Sequence, residues 1–203
     1  MLSKMLRAVQ KTKTPVSFVT AITGTSLVAG LTSVTFTGHQ TGDLLIAIGG
    51  SQQSTDPTFT SGWTKIISSL YSTGPRIAVA VYKFATSSAN DTVIFTGTGT
   101  SASSYSSGIV FRNASGIGAS SFNNTTTFSL SFPVNALTLQ KTNGTSAALC
   151  GVYINSTVSS YNGGITRSSG GIGYKLNLTS FPATTGVWSA TNPNNSLSVE
   201  ILA

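Results

Sequence analysis

The chain has 203 residues, a formal net charge of +7 and a charged fraction of only 7%. Its acids are Asp43, Asp56, Asp91 and Glu200, beside one histidine, His39, and one cysteine, Cys150. Acid–base, nucleophilic and metal chemistry each need several such groups at one point, so the composition points to a protein that is not an enzyme and uses no metal or cofactor.

The high charge comes from scarce acids, not from abundant bases. Four of the eleven basic residues, Lys4, Arg7, Lys11 and Lys13, fall in the first thirteen positions, and the rest are scattered. A nucleic-acid-binding domain carries a dense basic face, so nucleic-acid binding is not expected outside this segment. Apolar residues recur in compact runs at 39% of the chain, enough to offset the ordering entropy that would leave a Ser/Thr/Gly-rich chain unfolded.

Residues 1–15 read as an arm. Leu2, Met5, Leu6 and Val9 fall on one stripe of a helix with Lys4, Arg7 and Lys11 off it, and Thr14-Pro15 ends the pattern. So short a helix is marginal alone and needs a surface, on its own domain or on a partner. The partner-binding candidates are Leu2, Lys4, Met5, Leu6, Arg7, Val9, Lys11 and Lys13. No apolar h-region precedes Pro15, so a secretory signal is not expected. The stretch 16–40 is too interrupted by Ser, Thr and Gly for a membrane span.

Residues 16–203 read as one all-β domain. Val34–Thr37 alternates, 38–43 is a turn, and 43–48 is a strand apolar on both faces. Strands follow over 63–71, 76–84, 92–96, 105–111, 135–140, 146–154, 171–176, 186–190 and 196–202, separated by Gly, Ser, Asn and Pro. Strands at this spacing without helical runs predict an antiparallel, jelly-roll-like β-sandwich behind a short helical or extended arm. Two strands, 76–84 and 146–154, are apolar on both faces, whereas a two-sheet sandwich buries one. The other face needs a loop, the arm or another subunit, and the last of these suggests a homo-oligomer. A weak duplication at an offset of 102 aligns Gly42, Gly49, Phe59, Gly62, Thr64 and Lys65 with Gly144, Gly151, Tyr161, Gly164, Thr166 and Arg167, as two related sheet halves would.

The isolated reactive residues read as structural. Cys150 lies in an apolar run, His39 in a turn, and Asp43, Asp56 and Asp91 are dispersed. Gly97-Thr98-Gly99 and Gly116-Ile117-Gly118 lack the helix and downstream acid of a nucleotide site. Tyr71, Tyr105 and Tyr161 could stack on sugars, but core or cross-strand packing is the expected use.

One ordered set of motifs carries a resemblance. Gly42-Asp43-Leu44-Leu45, then Gly62-Trp63-Thr64, Tyr82-Lys83-Phe84-Ala85 and Tyr105 to Arg112-Asn113, closing on Ser198–Leu202, is similar to a β-sandwich domain of virion structural proteins of tailed bacteriophages. Arg112-Asn113 departs from the usual Arg-Gly there. The resemblance spans 16–203 and brings no catalytic motif. It implies a virion protein whose partners are other virion proteins, most simply a capsid decoration or cement protein, and with the three-fold sites of capsids and fibres it makes a trimer the first guess for the homo-oligomer. The alternatives are a tail-fibre or tail-tip module binding a host-surface glycan, and the jelly-roll capsid protein of a small virus.

Overall fold

The structure is a computed structural model and describes residues 13–28, 30–51, 55–71, 76–97, 105–152, 158–168 and 171–203. It is an all-β sandwich without α-helix among those residues, and every strand pair is antiparallel. The strands are β1 (Ser17–Thr23), β2 (Thr25–Val28), β3 (Leu31–Phe36), β4 (Leu44–Ser51), β5 (Thr58–Phe59), β6 (Thr64–Tyr71), β7 (Arg76–Phe84), β8 (Asp91–Thr96) and β9 (Tyr105–Arg112). After them come β10 (Gly116–Val134), β11 (Ser146–Val152), β12 (Val158–Tyr161), β13 (Thr166–Arg167), β14 (Gly173–Leu178) and β15 (Thr184–Leu202).

They form three sheets, not the two the sequence suggested. The first has the order β1-β9-β4-β7-β6, the second β10-β15-β11-β14-β13 with β12 beside β15, and the third β2-β3-β8-β5. Alternation along β4 decides the layering. Leu44, Ile46 and Ile48 point into a core shared with Leu149, Leu197, Val199 and Ile201 of the second sheet. Leu45 and Ala47 point the other way, against Val34, Phe36, Val93 and Phe95 of the third. The doubly apolar strand β7 divides likewise: Ala78 and Ala80 face the second sheet, Val79 and Val81 the third.

Strand β11 has its own cover. Ala147 and Leu149 face the first sheet, whereas Ala148 and Cys150 lie under Phe132, Val134, Val158 and Tyr161. The long strands β10 and β15 make this possible, because their pairing breaks register between Thr125 and Ser131. One stretch of β15 then supplies Leu197, Val199 and Ile201 to the inter-sheet core, while Gly186, near its start, lies against the Phe132 ring of the outer cluster. The second apolar faces are thus covered within the chain, which removes the observation behind the expected oligomer.

The first two sheets repeat one topology. Strands β1, β9, β4, β7 and β6 correspond in order and pairing to β10, β15, β11, β14 and β13. The paired glycines match too: Gly42 and Gly144 both have positive φ (87° and 78°), as do Gly62 and Gly164 (85° and 72°). Trp63 and Ile165, one residue past the latter pair, are both buried. The duplication seen in sequence is therefore a duplication of structure.

Some strand boundaries differ from expectation. Residues 135–140 are not a strand: only Leu137 bridges, to Phe181, and Leu137 and Leu139 serve as lid on the outer cluster. Strand β10 was missed: its first part is a Ser/Asn/Thr-rich run, although Phe128, Leu130, Phe132 and Val134 alternate with Ser129, Ser131 and Pro133 at its end. Asn113 follows β9 at φ 62°, the left-handed region where glycine is the default and asparagine the best-tolerated substitute. This accounts for Arg-Asn in place of Arg-Gly.

Sheet spacing depends on glycine. A Cβ on Gly49 would sit 2.4 Å from Phe95 Cγ, and one on Gly108 2.6 Å from Phe36 Cζ. Gly49→Ala should destabilise the protein by about 1–3 kcal/mol, the usual cost of overpacking. In a Phe95→Leu background the same substitution should cost less, because the ring it strikes is gone; urea denaturation of the four proteins measures the coupling. Equal costs in the two backgrounds would place the strain elsewhere.

Candidate functional site

Of the motifs of the resemblance, Gly42-Asp43, Gly62-Trp63-Thr64, Tyr82–Ala85 and Arg112-Asn113 lie at one end of the first sheet, whereas Ser198–Leu202 belongs to β15 of the second. The turn before β4 carries Gly38 and Gly42 at positive φ (73° and 87°) and presents Asp43. The Asp43 carboxylate accepts from the Gln40 N–H at 2.9 Å, from Arg112 Nε at 2.9 Å and from Arg112 Nη2 at 2.8 Å. The backbone is tied as well: Gly42 N donates to Ala85 O at 2.8 Å and Ala85 N to Asp43 O at 2.9 Å. Thus Gly42-Asp43, Tyr82–Ala85 and Arg112, far apart in sequence, form one knot. Trp63 packs beside it on Phe36 at 5.4 Å.

Burial alone would raise the pKa of Asp43. The Arg112 hydrogen bonds, the Gln40 N–H and the Arg112 charge outweigh it and hold the carboxyl below its ordinary 3.8. A second ion pair adjoins. Lys83 donates to Asp91 Oδ1, and His39 Nε2 lies 3.4 Å from Asp91 Oδ2. The His39 ring is fully buried, and among the described residues neither of its nitrogens has a hydrogen-bond partner. Sequence reading placed His39 in a turn, which is correct, but missed its burial and its approach to Asp91.

The other two acids are also engaged. Asp56 accepts from Lys65 Nζ at 2.8 Å and Ser68 Oγ at 3.0 Å at the surface. Glu200 is fully buried and accepts three backbone N–H groups, from Ala119 at 3.1 Å, Gln140 at 2.9 Å and Lys141 at 3.1 Å. It anchors the lid segment to β15 in the way a helix cap satisfies orphan donors. Cys150 is buried in the outer cluster, and burial pushes its thiol up to about 12, far from the thiolate a nucleophile requires. Tyr161 serves the core packing expected of it: it is buried, its hydroxyl donates to Gly171 O at 2.5 Å and its ring meets Phe132 edge-on. Tyr105 is 44% exposed, and the side chain of Tyr71 lies outside the described residues.

Among the described residues no group of three or more His, Cys, Asp or Glu could hold a metal ion, and no helix is long and apolar enough to cross a membrane. Of the arm candidates, Leu2, Lys4, Met5, Leu6, Arg7, Val9 and Lys11 lie outside the described residues. Lys13 is described: its Nζ donates to Ala203 O at 2.8 Å, as do Lys141 Nζ at 2.6 Å and Ser115 Oγ at 2.8 Å. Burial and the adjacent Lys13 lower the pKa of Lys141. Val16 N donates to Thr145 O and Asn113 Nδ2 to Pro15 O, so the root of the arm is fixed on its own sandwich beside β11 and β15.

Comparison with known proteins gives no match: no family model matches the chain, and no curated protein or solved structure does.

Arg112→Ala would leave the Asp43 carboxylate buried without its bidentate partner. The expected cost near neutral pH is about 1–3 kcal/mol, less than for a fully buried pair because the Arg112 side chain is 37% exposed. With its folded pKa lowered, Asp43 contributes stability that is present above 3.8 and lost as pH falls through the lower folded value. The gap between wild type and Arg112→Ala should therefore close on acidification, as urea titrations at stepped pH would record. A gap that widens below pH 3.8 would contradict the assignment.

Proposed function

We propose that the protein is a structural component of a tailed-phage virion, a decoration or cement protein on the capsid surface. The observation that carries this reading is the knot at the end of the first sheet. Gly42-Asp43, Tyr82-Lys83-Phe84-Ala85 and Arg112-Asn113, which carry the resemblance in sequence, meet in space and hold one another. Motifs that act as mutual fasteners belong to a structural domain. The commitment of all four acids to structural bonds supports the same reading.

The rival, a tail-fibre or tail-tip module binding a glycan, calls for aromatic platforms gathered at one end of the sandwich. The large exposed aromatics among the described residues are Tyr105, on the first sheet, and Phe122, on the second, which favours the decoration reading.

Attachment falls to the arm. Its root is fixed at Lys13–Val16, and its apolar stripe could contribute about 1.5–3 kcal/mol for each side chain fully buried on a partner, with Lys4, Arg7 and Lys11 meeting acidic groups. Deleting residues 1–12 should leave the urea midpoint of the sandwich unchanged and remove the protein from purified particles, as mass spectrometry of the particles would reveal. Normal incorporation of the truncated chain would rule out the arm as attachment element. Absence of the full-length protein from purified virions would rule out the virion reading itself.

A further inference from the structure

The chain contains two Asn-Gly pairs, Asn143-Gly144 and Asn162-Gly163, and the structure treats them differently. In such a pair the backbone nitrogen of glycine can attack the asparagine side-chain carbonyl, because glycine has no Cβ to obstruct the approach. Whether it does so in a folded protein depends on how firmly both reacting groups are held.

At Asn143 both are held. Oδ1 accepts from Thr145 N at 3.2 Å and Thr145 Oγ1 at 2.7 Å, and the attacking Gly144 N–H donates to Leu178 O at 3.0 Å. At Asn162 the attacking Gly163 N–H has no acceptor among the described residues, and the residue is exposed. One bond, from Asn162 Nδ2 to Thr185 Oγ1 at 2.7 Å, restrains the side chain. Lys175 Nζ donates to Gly163 O at 2.7 Å, which sets a positive charge on the carbonyl of the residue whose own nitrogen must lose its proton, across its Cα. Opposite charge favours the ionised form, so the reaction is assisted there.

We propose that Asn162 is a site of spontaneous self-modification, converting through a succinimide to aspartate and isoaspartate, while Asn143 is protected. The Gly163 nitrogen gives its proton to hydroxide and bonds to Asn162 Cγ. The Cγ–Nδ2 bond breaks and Nδ2 leaves as ammonia, taking up a proton from water. Water then adds to either carbonyl of the ring and opens it. Opening at Cγ gives aspartate; opening at the backbone carbonyl gives isoaspartate, with one extra carbon in the main chain. Either product replaces the Nδ2 donor to Thr185 with a carboxylate near Lys175. Isoaspartate also lengthens the chain directly after Tyr161, whose ring and hydroxyl close the cluster around Cys150.

The test incubates the full chain at mildly alkaline pH, folded and in urea, and follows both sites by peptide mapping, with enzymatic methylation to detect isoaspartate. In urea the two pairs should convert at similar rates, since both are Asn-Gly in an unfolded chain. In the folded protein Asn162 should convert about tenfold or more faster than Asn143, equivalent to about 1.4 kcal/mol in barrier. Lys175→Gln should slow the folded Asn162 reaction and leave the rates in urea unchanged. An intact Asn162 in the folded protein, or a folded ratio near one, overturns the proposal. An unchanged rate in Lys175→Gln overturns the assistance by charge.

Discussion

The constraint on which this architecture rests is that its central strands are apolar on both faces. Over Leu44–Ile48 of β4 and Ile77–Val81 of β7 the inward and the outward side chains are all buried, and water can be admitted to neither side without losing about 25 cal/mol for each Å² exposed. A sheet of this kind needs two covers. The chain supplies one by folding its second sheet against the inner face and the other by diverting β2, β3, β5 and β8 into a third sheet. Close approach is bought with glycine: Gly49 and Gly108 leave the space that the Phe95 and Phe36 rings fill. Layer number, sheet spacing and glycine placement are thus consequences of one feature.

The duplicated topology meets the same need twice with different material. In the first half, three connections grow into strands that make a separate sheet: β2 and β3 between β1 and β4, β5 between β4 and β6, and β8 between β7 and β9. In the second half the outer face of β11 is covered by the far ends of β10 and β15, by β12 and by the segment around Leu137 and Leu139. The two answers leave different edges. The third sheet is held by its own ladder, whereas the lid of the second depends on a few polar anchors, chiefly Glu200 with its three backbone donors and Tyr161 with Gly171. Local opening follows the density of such contacts, and the lid is the element with fewer backbone pairings.

Much of this was legible in the sequence because it lay in local periodicity. The all-β class, the strands 43–48, 76–84, 105–111 and 196–202, the turn at 38–43 and the structural fate of Cys150 follow from alternation and turn chemistry. The repeat at 102 residues was also visible, since turn glycines at positive φ admit few substitutes. What could not be read was non-local. The first part of strand β10 is a polar ribbon paired with β15 and carries little strand signature of its own, whereas the alternation of Phe128, Leu130, Phe132 and Val134 at its end was readable. The run 135–140 carries one yet forms a lid, because Leu137 and Leu139 are claimed by the outer cluster while Leu137 N donates to Phe181 O and Gln140 N to Glu200. The pairing of Asp43 with Arg112 joins positions 69 apart. The only local sign was an isolated acid in a turn and an isolated base at a strand end.

The scarcity of acids has a further consequence for the surface. Asp43, Asp56 and Asp91 are matched by Arg112, Lys65 and Lys83, and Glu200 is consumed inside the fold, so almost no negative charge remains for the exterior. The net charge of +7 is therefore carried by what is left: the arm, Lys13 and Lys141 converging on one carbonyl oxygen at its root, and a few scattered bases. Unpaired charge of one sign attracts anionic groups and does so less as salt rises. The sandwich itself, with few charges and well-matched ones, should be nearly indifferent to ionic strength. The bases that help hold the fold and the bases left over are thus different residues, and salt is the variable that separates their effects.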